Sequence, residues 1–436
     1  MTPLYDVLKQ YAAQNPARFH MPGHKGKGLP VSELTAAAPL DVTELSSTGN
    51  LYCPGEPFDT AQRLWAERAG FSYCQFLTGG STQGIHTGLA LCCAPGSRVL
   101  IDRNCHRSVF HAMALLDLEP VYLERSWLSG EHIIGPVDPE AVERALKQHP
   151  DIKTVCITSP TYAGILSDIA EISHIIHRHG GMLMVDGAHG AHLPFFMSDP
   201  FQGADVVVVS AHKTLPALGQ AALLFVNSME PNRVRQMASV FGTSSPSYLI
   251  LASLDGARDW MEQEGTLLYQ QAARRTAQLR SRYPSLGGSL PLDPTRLTLS
   301  VQNGPAFARM LEERGIVPEM EDGGHVVFIT TPQDLEENFD RLEGALKELG
   351  SWMGPCSPIP APPLPEQAVS LRRALFAPTE ELSLSQCGGR ISAVSLAPYP
   401  PGVPVVAPGE RITEKELAYF LKIGHNSSAV PVLLEE

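Results

Sequence analysis

Residues 206–209 are four consecutive valines, set in "ADVVVVS". β-Branched side chains favour extended backbone, and successive side chains of a strand point to opposite faces. A strand without apolar/polar alternation must be covered on both faces, which is the situation of a strand inside a helix-flanked sheet. The surrounding chain repeats the theme. From about residue 70 to 225, short apolar runs alternate with longer amphipathic ones, the mark of βα units and a mostly parallel sheet. "CQFLTGG" reads as a strand entering a glycine turn, and "STQGIHTGLALCC" as the helix after it. "RVLID", "TVCITSP" and "GMLMVDGAHG" read as further strands, with helices over "HRSVFHAMALL" and "DIAEISHIIHRHG". "GQAALLFV" follows the valine strand after a link too short for a crossover helix, so that pair is expected to be antiparallel.

Downstream, residues 248–282 read as one long helix ending at "YPSLGG". A smaller α/β unit follows: strand "RLTLSV", helix "PAFARMLEERG", strand "HVVFIT", helix "LEENFDRLEGALKELG". Six prolines fall within residues 354–366, a stiff linker by composition. The organisation expected is an N-terminal arm (1–30), a large sheet-bearing domain (31–285), a small α/β domain (286–352), the linker (353–366) and a C-terminal α+β domain (367–436).

Composition excludes several classes of function. With 46 acids against 33 bases the formal net charge is −13, and no basic run could track a phosphate backbone, so a nucleic-acid partner is not expected. No stretch reaches the 18 or so apolar residues of a membrane span, and the polar N-terminus has no signal-peptide core. Eight scattered cysteines without CxxC spacing suit free thiols in a reducing cytosol, and no metal site is expected. A cytoplasmic protein is therefore expected.

Ligands of parallel sheets gather beyond the carboxyl ends of the strands. Four such ends carry distinctive residues: Gly79, Gly80, Ser81 and Thr82; His106; Asp186 with His189; and Ser210 with His212 and Lys213. The glycine turn and hydroxyls at a helix start form an anion site, to which Ser210 and His212 can add donors. Lys213, partly desolvated at the rim, becomes a nucleophile toward carbonyls. Asp186 ends a buried strand and suits a protonated ring nitrogen, while His106 could stack on a ring. Each residue also has an ordinary use, as a helix cap, a loop lysine or a core histidine. Together, a phosphate cradle, an aldehyde-capturing lysine and a carboxylate for a pyridinium describe a site for pyridoxal 5′-phosphate.

The motifs "FHMPGHKGKG", "GGSTQG", "DRNCHRSVFHA", "SPTYAGILSDI", "DGAHGAH", "SAHKT", "SPSYLILASLD" and "PYPPGVPVVAPGE" occur in an order that resembles the Orn/Lys/Arg decarboxylase family. The likeness is to its shorter members, which lack an N-terminal wing domain. The resemblance implies a seven-stranded, mostly parallel sheet flanked by helices (fold type I) that binds pyridoxal 5′-phosphate. It implies that Lys213 holds the cofactor covalently, Asp186 contacts the pyridine nitrogen and His106 stacks on the ring. Gly80, Ser81, Thr82, Ser210 and His212 would serve the phosphate, with His189 beside the cofactor. Ser244, Ser245 and Ser247 would enter the site of a neighbouring subunit in a homodimer or larger homo-oligomer. The loop "PPGVPVVAPGE" is expected near an active-site entrance.

The implied reaction is decarboxylation of a basic amino acid (arginine, lysine or ornithine) to its amine. Glu44, Glu56 and Glu410 are the candidates to meet the distal cation. Two features depart from the family pattern: Arg107 replaces a lysine after the stacking histidine, and Gly49, Asn50, Tyr52 and Cys53 replace polar groups in the 46–58 loop. An aminotransferase or lyase on the same scaffold is the alternative enzyme reading, with Arg296 as a possible carboxylate clamp. A catalytically silent binding protein is the third.

Overall fold

The computed structural model describes residues 1–397, 403–425, 427 and 429–434. Its strands are β1 (Tyr73–Leu77), β2 (Arg98–Asp102), β3 (Glu119–Leu123), the short β4 (Trp127–Leu128) and β5 (Ile133–Ile134), β6 (Thr154–Thr158), β7 (Met182–Asp186), β8 (Val206–Ser210) and β9 (Ala222–Val226), then β10 (Arg296–Ser300), β11 (Met320–Glu321), β12 (His325–Ile329), β13 (Thr379–Leu382) and β14 (Val430–Leu433). Seven of them form one helix-flanked sheet in the order β1-β9-β8-β7-β6-β2-β3. The expected fold class is what the structure shows.

The valine strand β8 is buried along its whole length, each valine at most 1% exposed. At about 1.5–3 kcal/mol per buried aliphatic side chain, its four valines together contribute roughly 6–12 kcal/mol of apolar driving force. β8 runs parallel to β7 and antiparallel to β9, as the short link requires. Six strands stand out in the sequence as apolar runs. The seventh, β3, does not, because it lies at the sheet edge, is half exposed and contains Pro120.

The chain divides into two compact units, residues 1–92 with 183–270 and residues 93–182 with 271–436. In the first, the helix Gly80–Cys92 lies close against β8 and β7. A Cβ at Gly84 would come within 2.5 Å of Val208 and one at Gly88 within 2.6 Å of Met184, so the one-turn glycine spacing lets helix and sheet approach. Trp65 is buried and donates its indole N–H to Leu254 O at 3.1 Å, joining the helices Phe58–Ala69 and Tyr248–Trp260. The N-terminal helix Pro3–Ala13 is seated by Asp255, which accepts the Leu4 and Tyr5 N–H groups at 2.8 and 3.1 Å. The expected long helix is interrupted: Tyr248–Trp260 and Thr266–Arg282 are joined by a π-turn at Met261–Gly265. Gly265 lacks the Cβ that would collide with Trp260 and Met261 there.

In the second unit, Asp102 at the end of β2 is buried and ion-paired with Arg125, and it also accepts the Thr158 N–H at 3.2 Å and the Asn104 N–H at 2.9 Å. The small sheet β10-β12-β11 packs Leu297, Leu299 and Val326 against Phe307, Leu311, Phe339 and Leu346. Residues 355–366 contain neither helix nor strand. Beyond them, β13 and β14 pair antiparallel, and Phe420, Ile412, Val406 and Val432 form a separate core.

Candidate active site

The rim of the first unit is set by strand register. Leu77, Ala222 and Ser210 pair across β1, β9 and β8, so the ends of β1 and β8 share one edge, and Asp186 pairs with Val208 beside them. Past that edge Gly187 N–H donates to Val208 O at 2.8 Å, and Asp186 accepts the Ala188 N–H at 3.2 Å. Asp186 is 3% exposed.

A single helical turn, Ala211–Thr214, carries His212 and Lys213 beyond β8. Lys213 is half buried, and its Nζ lies 3.0 Å from Nε2 of His189, itself 5% exposed. His212 donates its Nδ1–H to Ala221 O at 2.9 Å, so Nε2 can donate only when the ring is charged. Burial pushes the His212 pKa down, the Ala221 hydrogen bond opposes this, and the Lys213 charge adds to it.

Opposite stands the glycine turn. Gly80 has φ 68° and donates to Gln220 O at 2.9 Å, which fixes the turn onto the β8–β9 connection. Ser81 is half buried and Thr82 exposed in the first turn of the following helix. The Gly79 N–H donates at 2.9 Å to Oε1 of Gln83, a residue with no role in the sequence reading. A signal for it existed, since a glutamine one helical turn after a glycine turn can reach back to the orphan N–H.

The hydroxyl of Ser210 supplies the test of fit for the cofactor. It is fully buried and makes no hydrogen bond among the described residues, as a donor reserved for an outside acceptor would. With a primary amine, a buried carboxylate and a hydroxyl-bearing helix start at the same rim, the donor set fits the lysine, ring-nitrogen and phosphate needs of pyridoxal 5′-phosphate.

The other predicted residues fall as follows. Ser244 and Ser245 are exposed, and Ser247 caps the helix Tyr248–Trp260 by accepting the Ile250 N–H. Ser245 and Ser247 line a cavity of about 370 Å³ with Met21, Asp41 and Thr43. Glu44 is half buried, accepts the Thr43 hydroxyl, and its charge adds to the burial that raises the phenols of Tyr52 and Tyr248. Glu56 is exposed and accepts the Thr60 hydroxyl at 2.7 Å.

In the second unit, His106 caps the helix Arg107–Leu116: its Nδ1 accepts the Ser108 N–H at 3.2 Å, which leaves the proton on Nε2. Arg107 is exposed. Glu410 is fully buried; its Oε2 lies 3.0 Å from Arg103 and accepts the Ala407 N–H at 2.7 Å, while Oε1 has no hydrogen-bond partner among the described residues. Burial raises its pKa, and Arg103 counters the rise. Arg296 is 1% exposed, with Asp293 at 3.9 Å, an interior ion pair. Of the loop expected at an entrance, residues 398–402 lie outside the described residues; 403–410 are tied down by Arg103, which donates to Pro404 O at 2.7 Å and Val405 O at 2.9 Å. All eight cysteines are free thiols, and no group of metal-ligating side chains and no helix able to span a membrane occurs among the described residues.

Comparison with known proteins gives concordant results. Residues 2–299 match the family model described as Orn/Lys/Arg decarboxylase, major domain, and residues 363–433 match that family's C-terminal domain. The chain is 32% identical to an arginine decarboxylase of Bacillus subtilis, over 97% of its own length and 93% of the relative's. Among solved structures it superposes on the constitutive lysine decarboxylase of E. coli with a TM-score of 0.83 at 21% identity, covering 100% of this chain and 82% of that one. A high-resolution structure of SPT with PLP shares the fold over 68% of this chain and 78% of its own, with a TM-score of 0.55 at 15% identity.

Proposed function

The chain belongs to the Orn/Lys/Arg decarboxylase family and is a decarboxylase, and from that premise we propose that it uses pyridoxal 5′-phosphate to remove the α-carboxylate of a basic L-amino acid, yielding the amine and carbon dioxide. Arginine, lysine and ornithine are the candidate substrates. An arginine decarboxylase is among the relatives at 32% identity, which favours arginine among them.

The observation that carries the reading is the Lys213–His189 contact of 3.0 Å at the end of a fully buried strand whose Ser210 hydroxyl has no partner among the described residues. When bound, the cofactor supplies an electron-withdrawing ring that takes up the electron pair left as the carboxylate departs. Lys213 would hold it covalently through its Nζ. Asp186, a buried carboxylate at the end of β7, would stabilise the protonated ring nitrogen by charge. Ser81, Thr82 and Ser210 would donate to the phosphate, joined by His212 when its ring is charged, and His106 would stack on the ring. With the carboxylate gone, Lys213 or His189 returns a proton to the substrate α-carbon. Glu44, the half-buried acid of the altered loop, is the proposed partner of the distal cation. Ser244, Ser245 and Ser247 serve the partner's site in a homodimer.

The test combines a substrate panel with trapping. Arginine, lysine and ornithine are incubated with the purified protein, and amine and carbon dioxide are read out by mass. Borohydride reduction and peptide mapping should place the pyridoxyl label on Lys213. A label elsewhere, or keto-acid product without carbon dioxide, overturns the reading in favour of an aminotransferase.

A further inference from the structure

We propose that Gln83 is a positioning residue that holds the phosphate-binding turn at residues 79–82 and ties it to the segment 241–247. The inference rests on the reading of that turn as the phosphate site. Gln83 is 3% exposed and its amide is used at both ends. Oε1 accepts the Gly79 N–H at 2.9 Å, and Nε2 donates to Ala238 O at 2.9 Å and faces the Tyr52 hydroxyl at 3.4 Å. Gly79 precedes a helix, and Ala238 lies in the last turn of the helix Pro231–Val240. The side chain thus joins an N–H ahead of one helix to a terminal carbonyl of another, two groups that helix geometry leaves without partners.

The segment after that second helix presses on the same amide. A Cβ at Gly242 would collide with the Tyr52 hydroxyl, stand 2.5 Å from Gln83 Nε2 and 2.9 Å from Ala238 O. Only glycine leaves room. Three parts of the chain therefore converge on one neutral side chain: the turn, the altered loop through Tyr52, and the backbone leading to Ser244–Ser247. With the Gly79 N–H bound back, the turn keeps one conformation, which sets where the backbone and hydroxyls of Ser81 and Thr82 stand. A preformed turn binds phosphate more tightly than one that must be ordered on binding.

The test is equilibrium affinity of the apoprotein for pyridoxal 5′-phosphate, with inorganic phosphate as competitor. Gln83→Leu should weaken both by about tenfold or more, the effect of losing an oriented hydrogen bond. Gly242→Ala should act in the same direction from outside the turn. Gln83→Glu supplies a readout that general destabilisation would not give. Protonated, its carboxyl reproduces the donor and acceptor of the amide; ionised, it cannot donate to Ala238 O. Burial at this position raises the new carboxyl's pKa above the usual value of about 4.3, so the variant's affinity relative to wild type at the same pH should approach one as pH falls toward 5 and decline about tenfold by pH 8. Affinities of Gln83→Leu and Gly242→Ala within twofold of wild type, or a flat Gln83→Glu ratio across that range, overturn the inference while the cofactor reading stands. A wild-type protein that takes up no pyridoxal 5′-phosphate removes the reading and the inference together.

Discussion

Lys213 Nζ and His189 Nε2 lie 3.0 Å apart, the one a half-buried amine past the end of β8, the other a buried imidazole past the end of β7. The contact lets a proton pass between the two, so the pair can hold or return it at a substrate atom near the amine. His189→Gln should retain cofactor that borohydride fixes to Lys213, yet lower kcat about 10²-fold, the lower range for loss of an acid–base group. The check is carbon dioxide release per mole of bound cofactor.

Ser210→Ala should have opposite effects on the empty and loaded protein. Removing a buried hydroxyl without a partner relieves a cost of about 1 kcal/mol, so the apoprotein should melt no lower than wild type. The same change removes a donor to a phosphate dianion, and cofactor affinity should fall about tenfold. Paired melting curves with and without pyridoxal 5′-phosphate measure both.

Two of the acids proposed for the distal cation should separate cleanly. Glu44→Gln should raise KM for the basic amino acid about tenfold or more with little change in melting temperature. Glu410→Ala should instead strand the Arg103 charge, 11% exposed, and destabilise the protein by about 3–5 kcal/mol. Relative kcat/KM for arginine, lysine and ornithine should stay unchanged in this second variant. Urea denaturation and steady-state kinetics on both proteins supply the comparison.

Asp255 should make stability depend on acid pH. Burial raises its pKa from 3.8 to about 6, against the lowering pull of the Tyr5 and Leu4 N–H groups and Arg258. A folded-state pKa above the unfolded one means a stability contribution that is full below about pH 4 and lost as pH rises through 6. Asp255→Asn keeps an oxygen for the two N–H groups without the buried charge. It should be more stable than wild type above pH 6, by about 3 kcal/mol at most, with the difference vanishing near pH 4. Denaturation at the two pH values decides it.

His325 should act with the same sign in the pH range just above. Burial pulls its pKa down, but Asp322 at 3.0 Å and the Glu131 carbonyl outweigh that and hold it above 6.5. Its contribution is present below pH 6.5 and is lost as pH rises through the elevated value. Melting temperature should therefore decline as pH rises above 6.5, and His325→Gln should flatten that slope.

Much of the architecture could be read from residue order because its causes are local. Four adjacent valines announce a strand covered on both faces, and the few residues between Lys213 and Gln220 forbid a crossover, so the reversal of β9 follows from length alone. Strand ends carry the lysine, the aspartate and the glycine turn to one rim for the same reason. Chain folding alone brought together partners far apart in sequence: Gln83 with Ala238, Arg103 with Glu410, Asp255 with the first helix. No periodicity or spacing marks such pairs. Each forms because a buried polar group must find a complement, and which complement is within reach depends on how the sheet and helices have packed.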